Sequence, residues 1–563
     1  MSGTVRFKFD GQALEGRRGE SLAAALMGAG IAGFRETRTG ETRSVFCGMG
    51  VCQDCLVEVD GRPNQRACMT KLDRPMRVCR ESFGRVLPQV AAGEPPRLID
   101  AVPEERPEIL VIGAGPGGLS AAIAARRAGA SVTVVDERPA PGGQYFKQVM
   151  VAGSDVAAAD RQHAEGARLI AEARQAGVEI RSGVEIWGAY GAHELIGTEA
   201  GLVRRFNPER LIVATGAYER GVPLPGWTLP GVMTTGAAQT LWRSYRRLAG
   251  KRVLIAGNGP LNLQVARELL AGGAEIAAVV EVAPVPPLKA LPDFLRMLAA
   301  SPGLAVEGLK YRAALARVPV VYGSVVRRIE KAEGVLVALV SPFPAAGVGE
   351  RTFTVDAVCL GYGFQPSNEI LRALGCRHVF DATRDQFATI VDDEGRTSVA
   401  GVFSLGDCTG LGGARAALAQ GVVVGQAAAG DLGHVNATTT GDVADARRAL
   451  GRHRRFQKAL WRFYAAPPLD LELATPDTVV CRCEEVTAGR IEAALADGCP
   501  SIGDLKRVTR AGMGSCQGRY CGPILSKVLA GNLGRGLDED LCFAPRMPVK
   551  PVAIADIARW GKT

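Results

Sequence analysis

The chain has 563 residues, 47% of them hydrophobic and 22% charged, with a net charge of +9; so long a chain divides into several domains rather than one core. Its arginines are dispersed except at Arg447, Arg448, Arg452, Arg454 and Arg455, too small a cluster for the concentrated basic patch of a nucleic-acid binder. No apolar run of about 18 residues and no secretory signal appear, so a membrane span is not expected.

Fourteen cysteines, eight of them in metal-type spacings, point to a reducing cytoplasm rather than a disulfide framework. At the N-terminus TVRFKF alternates apolar and polar side chains and turns at Asp10-Gly11, a hairpin signal. Ser21 is placed to cap the helix SLAAALMGAGI. Next comes Cys47-x4-Cys52-x2-Cys55-x12-Cys68, the plant-type ferredoxin spacing for a 2Fe–2S cluster. Gly48 and Gly50 let the loop fold tightly, so that amide N–H groups can face an anionic centre. Zinc is the competing reading, but zinc ribbons pair two CxxC knuckles and only Cys52 and Cys55 form one here.

After a proline-bearing linker over 93–107, the chain reads EILVIGAGPGGLSAAIAARRAGASVTVVDE. A strand leads into the turn Gly113, Gly115, Gly118, then a helix, then a second strand ending in Asp136 and Glu137. This is the complete dinucleotide-binding unit. The first glycine makes the tight turn, the second admits a pyrophosphate and the third lets helix and strand pack closely. The pyrophosphate meets a helix N-terminus, and the acid accepts from the adenosine ribose. Three later segments favour FAD: Gly142, Gly143 and Gln144 in PAPGGQ, Thr215-Gly216 in RLIVATGAY, and Gly406-Asp407 in GVFSLGDCTG. In this order they resemble the glutathione- and thioredoxin-reductase-like flavoproteins over about residues 107–435.

KRVLIAGNGPLNLQVARELLAGGAEIAAVVE repeats the unit with Gly257, Gly259 and Glu281, but Asn262 replaces the third glycine. That side chain is expected to push helix and strand apart or to shift the turn. Two readings stay open: a site for NAD or another adenine nucleotide, or a vestigial structural domain. No CxxC or C-x4-C dithiol lies in this core, which argues against disulfide-reductase chemistry. The five histidines are scattered, none accompanying a cysteine set, which excludes a Rieske centre.

A polar helical stretch precedes Cys481-x-Cys483-x32-Cys516-x4-Cys521, which resembles the bacterioferritin-associated-ferredoxin type of 2Fe–2S module over about residues 478–530. Arg482, Lys506, Arg507, Arg510 and Arg519 are either charge compensation for that cluster or solvated helix charges. The remaining cysteines have no partner pattern.

The expected architecture is an α/β two-dinucleotide-binding-domain flavoprotein core between an N-terminal β-grasp-like cluster domain and a small helical C-terminal one. The boundaries are 1–95 for the first cluster domain, 107–228 with 365–435 for the FAD domain and 229–364 for the inserted unit. A linker arm follows at 436–475, the second cluster domain at 476–535 and a tail at 536–563.

Taken together, TRAGMGSCQGRYC, VDERPAPGGQ and ATGAYERGVPLPGW resemble the α-type subunits of heteromeric amine and imino-acid dehydrogenases. That group includes opine oxidases, D-hydroxyproline dehydrogenase and hydrogen cyanide synthase, with heterotetrameric sarcosine oxidase as a relative. Here the ferredoxin subunit looks fused at the N-terminus, and the folate-binding half of the sarcosine oxidase α-chain is lacking.

The resemblance implies an oxidoreductase subunit with FAD and two 2Fe–2S clusters, and FMN at a subunit interface. It also implies a β-type partner with its own FAD that oxidises the substrate's C–N bond, and a respiratory quinone or other acceptor. The location implied is the cytoplasm or the inner face of the membrane. No catalytic acid–base set for amine oxidation can be assembled from this chain. The competing expectation is a stand-alone NAD(P)H-dependent reductase of an external carrier.

Overall fold

The computed structural model describes residues 3–82, 102–151, 160–344, 349–434 and 440–560; the linker expected over 93–107 lies largely outside them. The opening hairpin forms as Thr4–Phe9 and Gln12–Arg17 in antiparallel register. Thr4–Phe9 also pairs in parallel with Arg77–Arg80, which continues through Leu56–Val59 to Arg62–Arg66, completing a mixed five-stranded sheet. Ser21 accepts from the Ala24 amide and caps the helix Leu22–Gly28, whose Leu22 and Leu26 are fully buried against that sheet.

Two parallel five-stranded sheets form the centre. The first runs in the order 179–182, 132–136, 109–112, 210–213, 402–404. The helices Pro116–Ala128 and Ala414–Gly430 pack against each other beside it, since Gly421 and Gly425 let one backbone approach Gly117 and Ala121 of the other. The second sheet runs 232–234, 357–361, 252–257, 275–281, 320–322. The chain crosses between the two units at 217–219 and 364–366, which pair as antiparallel strands.

Asn262 accompanies a shifted turn, with Gly259 at φ +102° where its counterpart Gly115 stands at φ −77°. The asparagine is fully buried; its amide donates to the Gly361 carbonyl (3.1 Å) and its carbonyl accepts from the Thr235 hydroxyl (3.0 Å). The side chain thus bridges the helix Pro260–Ala271 to the strand Ala357–Gly361 that adjoins Arg252–Gly257.

The arm expected at 436–475 is mostly a helix, Thr440–Phe463, and it is packed rather than free. Phe456 and Ala459 meet Met297 and Ala300 of the helix Leu291–Ala300, while Leu450 meets Ala416 and Ala419. Beyond it, a short antiparallel pair (Val479–Cys481, Val486–Thr487) and helices Ala488–Ala496, Ile502–Thr509 and Gly522–Asn532 enclose Val480, Ile491, Leu505, Leu525 and Leu529.

Candidate functional site

Each cysteine set is gathered in two touching pairs: Cys47 with Cys52 and Cys55 with Cys68, then Cys481 with Cys521 and Cys483 with Cys516. Among the described residues no three His, Cys, Asp or Glu groups converge on a point that could hold a single ion. Two-and-two gathering fits a two-iron cluster better than a tetrahedral zinc site. The loop also supplies amide donors. Met49 and Cys52 direct their N–H groups at the Cys47 sulfur (3.5 and 3.4 Å), Cys68 at Cys55 (3.5 Å) and Gly512 at Cys481 (3.5 Å). Burial pushes the Cys47 thiol up, but the Cys52 thiol and these amides outweigh it and bring it down to about 6. Thiolate is therefore favoured at Cys47, whereas burial and the neighbouring sulfurs push the Cys52 and Cys68 thiols up.

The two cysteine sets, more than 400 residues apart, lie side by side. The Cys483 sulfur stands 3.9 Å from the Cys52 carbonyl. Between them Asp54 and Arg482 form an ion pair with both side chains nearly fully buried: Nε and Nη2 of Arg482 each lie 2.7 Å from Oδ2 of Asp54. Nη1 donates to the Trp227 carbonyl (2.7 Å), and the guanidinium sits over the rings of Phe46 (3.8 Å) and Trp227 (4.6 Å). Burial alone would raise the Asp54 pKa, but Arg482, Arg35 and Arg43 together hold it below the usual carboxylate range. The other basic residues near the second set divide. Arg519 is buried beside Glu369 (3.2 Å) and Lys506 stacks over Phe543, whereas Arg507 and Arg510 form exposed pairs with Asp504 and Glu484.

A cavity of about 670 Å³ opens along the C-terminal edge of the first parallel sheet. Gly113, Gly115, Asp136, Glu137, Gly143 and Gln144 line one stretch, and Thr215, Gly216, Gly406 and Asp407 another. Gly118 and Gly142 lie beneath it: a side chain at Gly118 would collide with the Gly113 carbonyl, and one at Gly142 with that of Phe146. At Gly143, held at φ +63°, a Cβ would sit 2.8 Å from the Gly115 Cα, so a bare backbone cradle is built where the pyrophosphate of a dinucleotide would rest. The residues present fit FAD.

Asp136, on the cavity wall, is also tied to the glycine turn. Its carboxylate accepts from the amides of Ala114 (2.6 Å) and Arg138 (2.8 Å), stapling the glycine turn to the end of its strand. Glu281 does the same in the second unit, accepting from Gly259 (3.0 Å) and Ala283 (3.1 Å). Burial pushes the Glu281 carboxyl up to about 7 and also raises Asp136. Glu137 faces the cavity, paired with Lys550; burial would raise it, but Lys550 and Arg66 hold it at about 2. Asp407 accepts from the Gly412 and Gly413 amides (2.9 and 2.8 Å), and burial raises its pKa. Gly257, Gly259 and Glu281 do not line the cavity; Pro260, Leu261 and Gln264 at the start of the following helix do.

Several residues that the sequence did not assign to this cavity line its wall. Met49, Gly50, Val51 and Gln53 of the first cysteine loop form part of the wall, and so does Arg519, from between Cys516 and Cys521. The C-x4-C spacing was a usable signal for the first, because it leaves those residues on the outer bend of the loop. Arg519 was marked by its place beside Cys516 and Cys521, though not as cavity wall; nothing local marks Lys550. Lys147 and Glu219 also reach the wall: Lys147 donates to Gln239 (2.6 Å) and Glu219 accepts from the Gly236 amide. Burial brings Lys147 down to about 7 and Glu219 up to about 7.

This fold and cavity define a two-dinucleotide-domain oxidoreductase with a cluster domain at each end. The model of the pyridine nucleotide-disulphide oxidoreductase family matches residues 107–421, and the chain belongs to that family. The 2Fe-2S iron-sulfur cluster binding domain matches 2–82, and the BFD-like 2Fe-2S binding domain matches 479–531. Among curated proteins the chain is 34% identical over 479 residues to an opine oxidase subunit from Agrobacterium tumefaciens (strain Ach5), covering 81% of this chain and 92% of that one. It is 30% identical over 472 residues to hydrogen cyanide synthase subunit HcnB of Pseudomonas aeruginosa, covering 80% and 98%. L-proline dehydrogenase from P. horikoshii shares the fold over 99% of this chain and 98% of its own, with a TM-score of 0.72 at 18% identity. Among the described residues no helix is long and apolar enough to cross a membrane.

Proposed function

We propose that this chain is the electron-transferring subunit of a heteromeric flavin and iron–sulfur dehydrogenase. An FAD-bearing β-type partner would oxidise a C–N bond of an amino acid, imino acid or opine. This chain would take those electrons and deliver them to a respiratory quinone or another acceptor. The observation that carries the reading is the convergence of both cysteine loops: they touch each other, and both contribute wall to the flavin-type cavity. A relay needs that proximity; a protein with two unrelated structural metals does not.

In this reading Gly113, Gly115 and Gly143 present backbone to the pyrophosphate of FAD. Glu137 and Gln144 stand beside them, Thr215 and Gly216 stand further along the wall, and Gly406 and Asp407 face the ribityl side. When bound, FAD supplies two-electron acceptance with one-electron release, which suits cluster partners. Cys47, Cys52, Cys55 and Cys68 would hold one cluster; Cys481, Cys483, Cys516 and Cys521 would hold the other. Lys147 and Glu219 are buried groups able to hold or release a proton at Nζ and at the carboxylate on the cavity wall. An adenine nucleotide, NAD included, at the second turn would have to reach it past Pro260, Leu261 and Gln264, which start the following helix on the cavity wall. A second cavity of about 350 Å³, lined by Arg372, Lys506, Arg519 and Phe543 beside the Cys516 loop, has the charge and aromatic character to receive FMN.

The test is purification of the tagged chain from its native host, with extraction of cofactors. Dye reduction would then be assayed with proline, hydroxyproline, opines, sarcosine and glycine. A flavin-bearing partner and turnover of one such amine are expected. A partnerless chain bleached rapidly by NADH would overturn the proposal in favour of a stand-alone reductase.

A further inference from the structure

The helix Leu291–Ala300 and the turn before it have two apolar faces, and only one is covered. Met297 and Ala300 pack against Phe456 and Ala459. Leu288, Leu291, Leu295 and Leu298 recur at three- and four-residue spacing on the other side and are 94%, 54%, 53% and 37% exposed. Val285 extends the patch before the turn, and Val306 and Leu309 extend it onto the next helix, Pro302–Ala314. Seven of the seventeen exposed large hydrophobic residues among those described fall within 285–309. An apolar concentration of this kind marks an interaction surface rather than ordinary scatter.

The charges choose the partner. Within 285–317 the exposed ionisable side chains are all cations: Lys289, Arg296, Lys310, Arg312 and Arg317. The two acids of the segment are part-buried and partnered. Asp293 is bound by Arg296 and Arg462, and Glu307 accepts from the Tyr311 hydroxyl. Leucines rimmed only by cations complement an interface of acyl chains beneath anionic headgroups.

We infer that this hairpin docks the protein onto an anionic lipid bilayer, lying in the interface without crossing it. The docking has a consequence for electron delivery, which rests on the quinone acceptor proposed above. Phe294, Met297, Leu304 and Leu309 also line the large cavity, and Leu309 is exposed at its rim. An apolar acceptor dissolved in the bilayer would therefore meet an apolar entrance on the side that faces the membrane.

The experiment is vesicle sedimentation of the full, cofactor-loaded chain without amine or acceptor, so that failure here leaves the dehydrogenase reading untouched. Vesicles of phosphatidylcholine with phosphatidylglycerol are compared with phosphatidylcholine alone. The chain is expected to sediment with the anionic vesicles and to be released by high salt. Leu288→Glu with Leu295→Glu should lower the partition coefficient by about tenfold or more, and Lys289→Glu with Lys310→Glu should abolish the preference for anionic lipid. Val379→Glu, at an exposed position elsewhere, should bind as wild type. Circular dichroism confirms that each variant is folded. The inference is overturned if neither vesicle type binds the chain, or if the leucine variants bind undiminished. It is equally overturned if the leucine substitutions instead abolish self-association, or association with the partner subunit, in the absence of vesicle binding.

Discussion

Replacing Arg482 by Met should loosen the junction between the two cysteine loops far more than a surface arginine would. The wild-type guanidinium makes two contacts of 2.7 Å to Asp54, one bond to the Trp227 carbonyl and two aromatic stacks, all away from water. Methionine keeps contact with Phe46 and Trp227 but leaves the Asp54 carboxylate facing Arg35 at 3.4 Å as its nearest cation. Breaking a buried pair by removing one partner costs about 3–5 kcal/mol, because the other charge stays desolvated. Three kilocalories corresponds to roughly a hundredfold in a local opening equilibrium. The assay is amide hydrogen exchange at 46–55 and 479–487 in the anaerobically handled protein, since a multidomain chain does not unfold in two states. Exchange there should quicken by roughly a hundredfold or more while the first parallel sheet is unchanged. In the double variant Asp54→Asn with Arg482→Met both members of the pair are removed and only the longer contact to Arg35 is lost besides, so about 2 kcal/mol or more of coupling should appear in the cycle. Wild-type exchange in Arg482→Met, or single effects that merely add, would mean that the pair does not hold the two loops together.

Glu281 carries a pH signature. Its folded pKa is raised from the ordinary 4.5 to about 7, so its protonated form suits the fold, and its contribution is complete below about 4.5 and lost as pH rises through 7. The shift amounts to roughly 3 kcal/mol, and Glu281→Gln should remove that slope: the thermal midpoint of wild type relative to the variant should fall between pH 5 and pH 8. Gly143→Val places a branched side chain at φ +63° against the Gly115 backbone, and an affinity loss for FAD of about thirtyfold, on the order of 2 kcal/mol, should appear in equilibrium titration of the apoprotein. Asn262→Leu leaves the Thr235 hydroxyl without its Asn262 partner and the Gly361 carbonyl with only its bond from the Asn258 amide. Stability should drop by about 1–3 kcal/mol in a calorimetric scan with the cysteine loops unaffected; restoring the family's glycine would be the harmless change if the asparagine had no structural part.

What could be read from sequence was whatever obeys a local rule. The strand–turn–helix units announce themselves because a tight turn, a phosphate approach and a close helix each demand glycine at a set spacing, and the cap at Ser21 and the turn at Asp10-Gly11 are equally short-range. At Asn262 the shifted turn was legible, but its hydrogen bonds were not, because the rule considers only steric bulk whereas the side chain finds two partners on neighbouring elements. The packing of Thr440–Phe463 was hidden because a helix that is polar on average can still bury one row of side chains. Asp54 and Arg482 lie 428 positions apart, and no periodicity or spacing links them. For the same reason Arg507 and Arg510, as near to the cysteines in sequence as Lys506, turn out to be surface charges. Tertiary geometry alone separates them from Arg482.

Two clusters beside one another in contact with a flavin site would leave a magnetic signature, read by electron paramagnetic resonance of the fully reduced chain set against its Cys52→Ser and Cys516→Ser variants. Each variant should lose a different signal, and because the Cys483 sulfur stands 3.9 Å from the Cys52 carbonyl, the parent spectrum should show spin coupling and differ from the sum of the two variant spectra. A parent spectrum equal to that sum, or a protein carrying zinc in place of about four irons and four labile sulfides, would contradict the account.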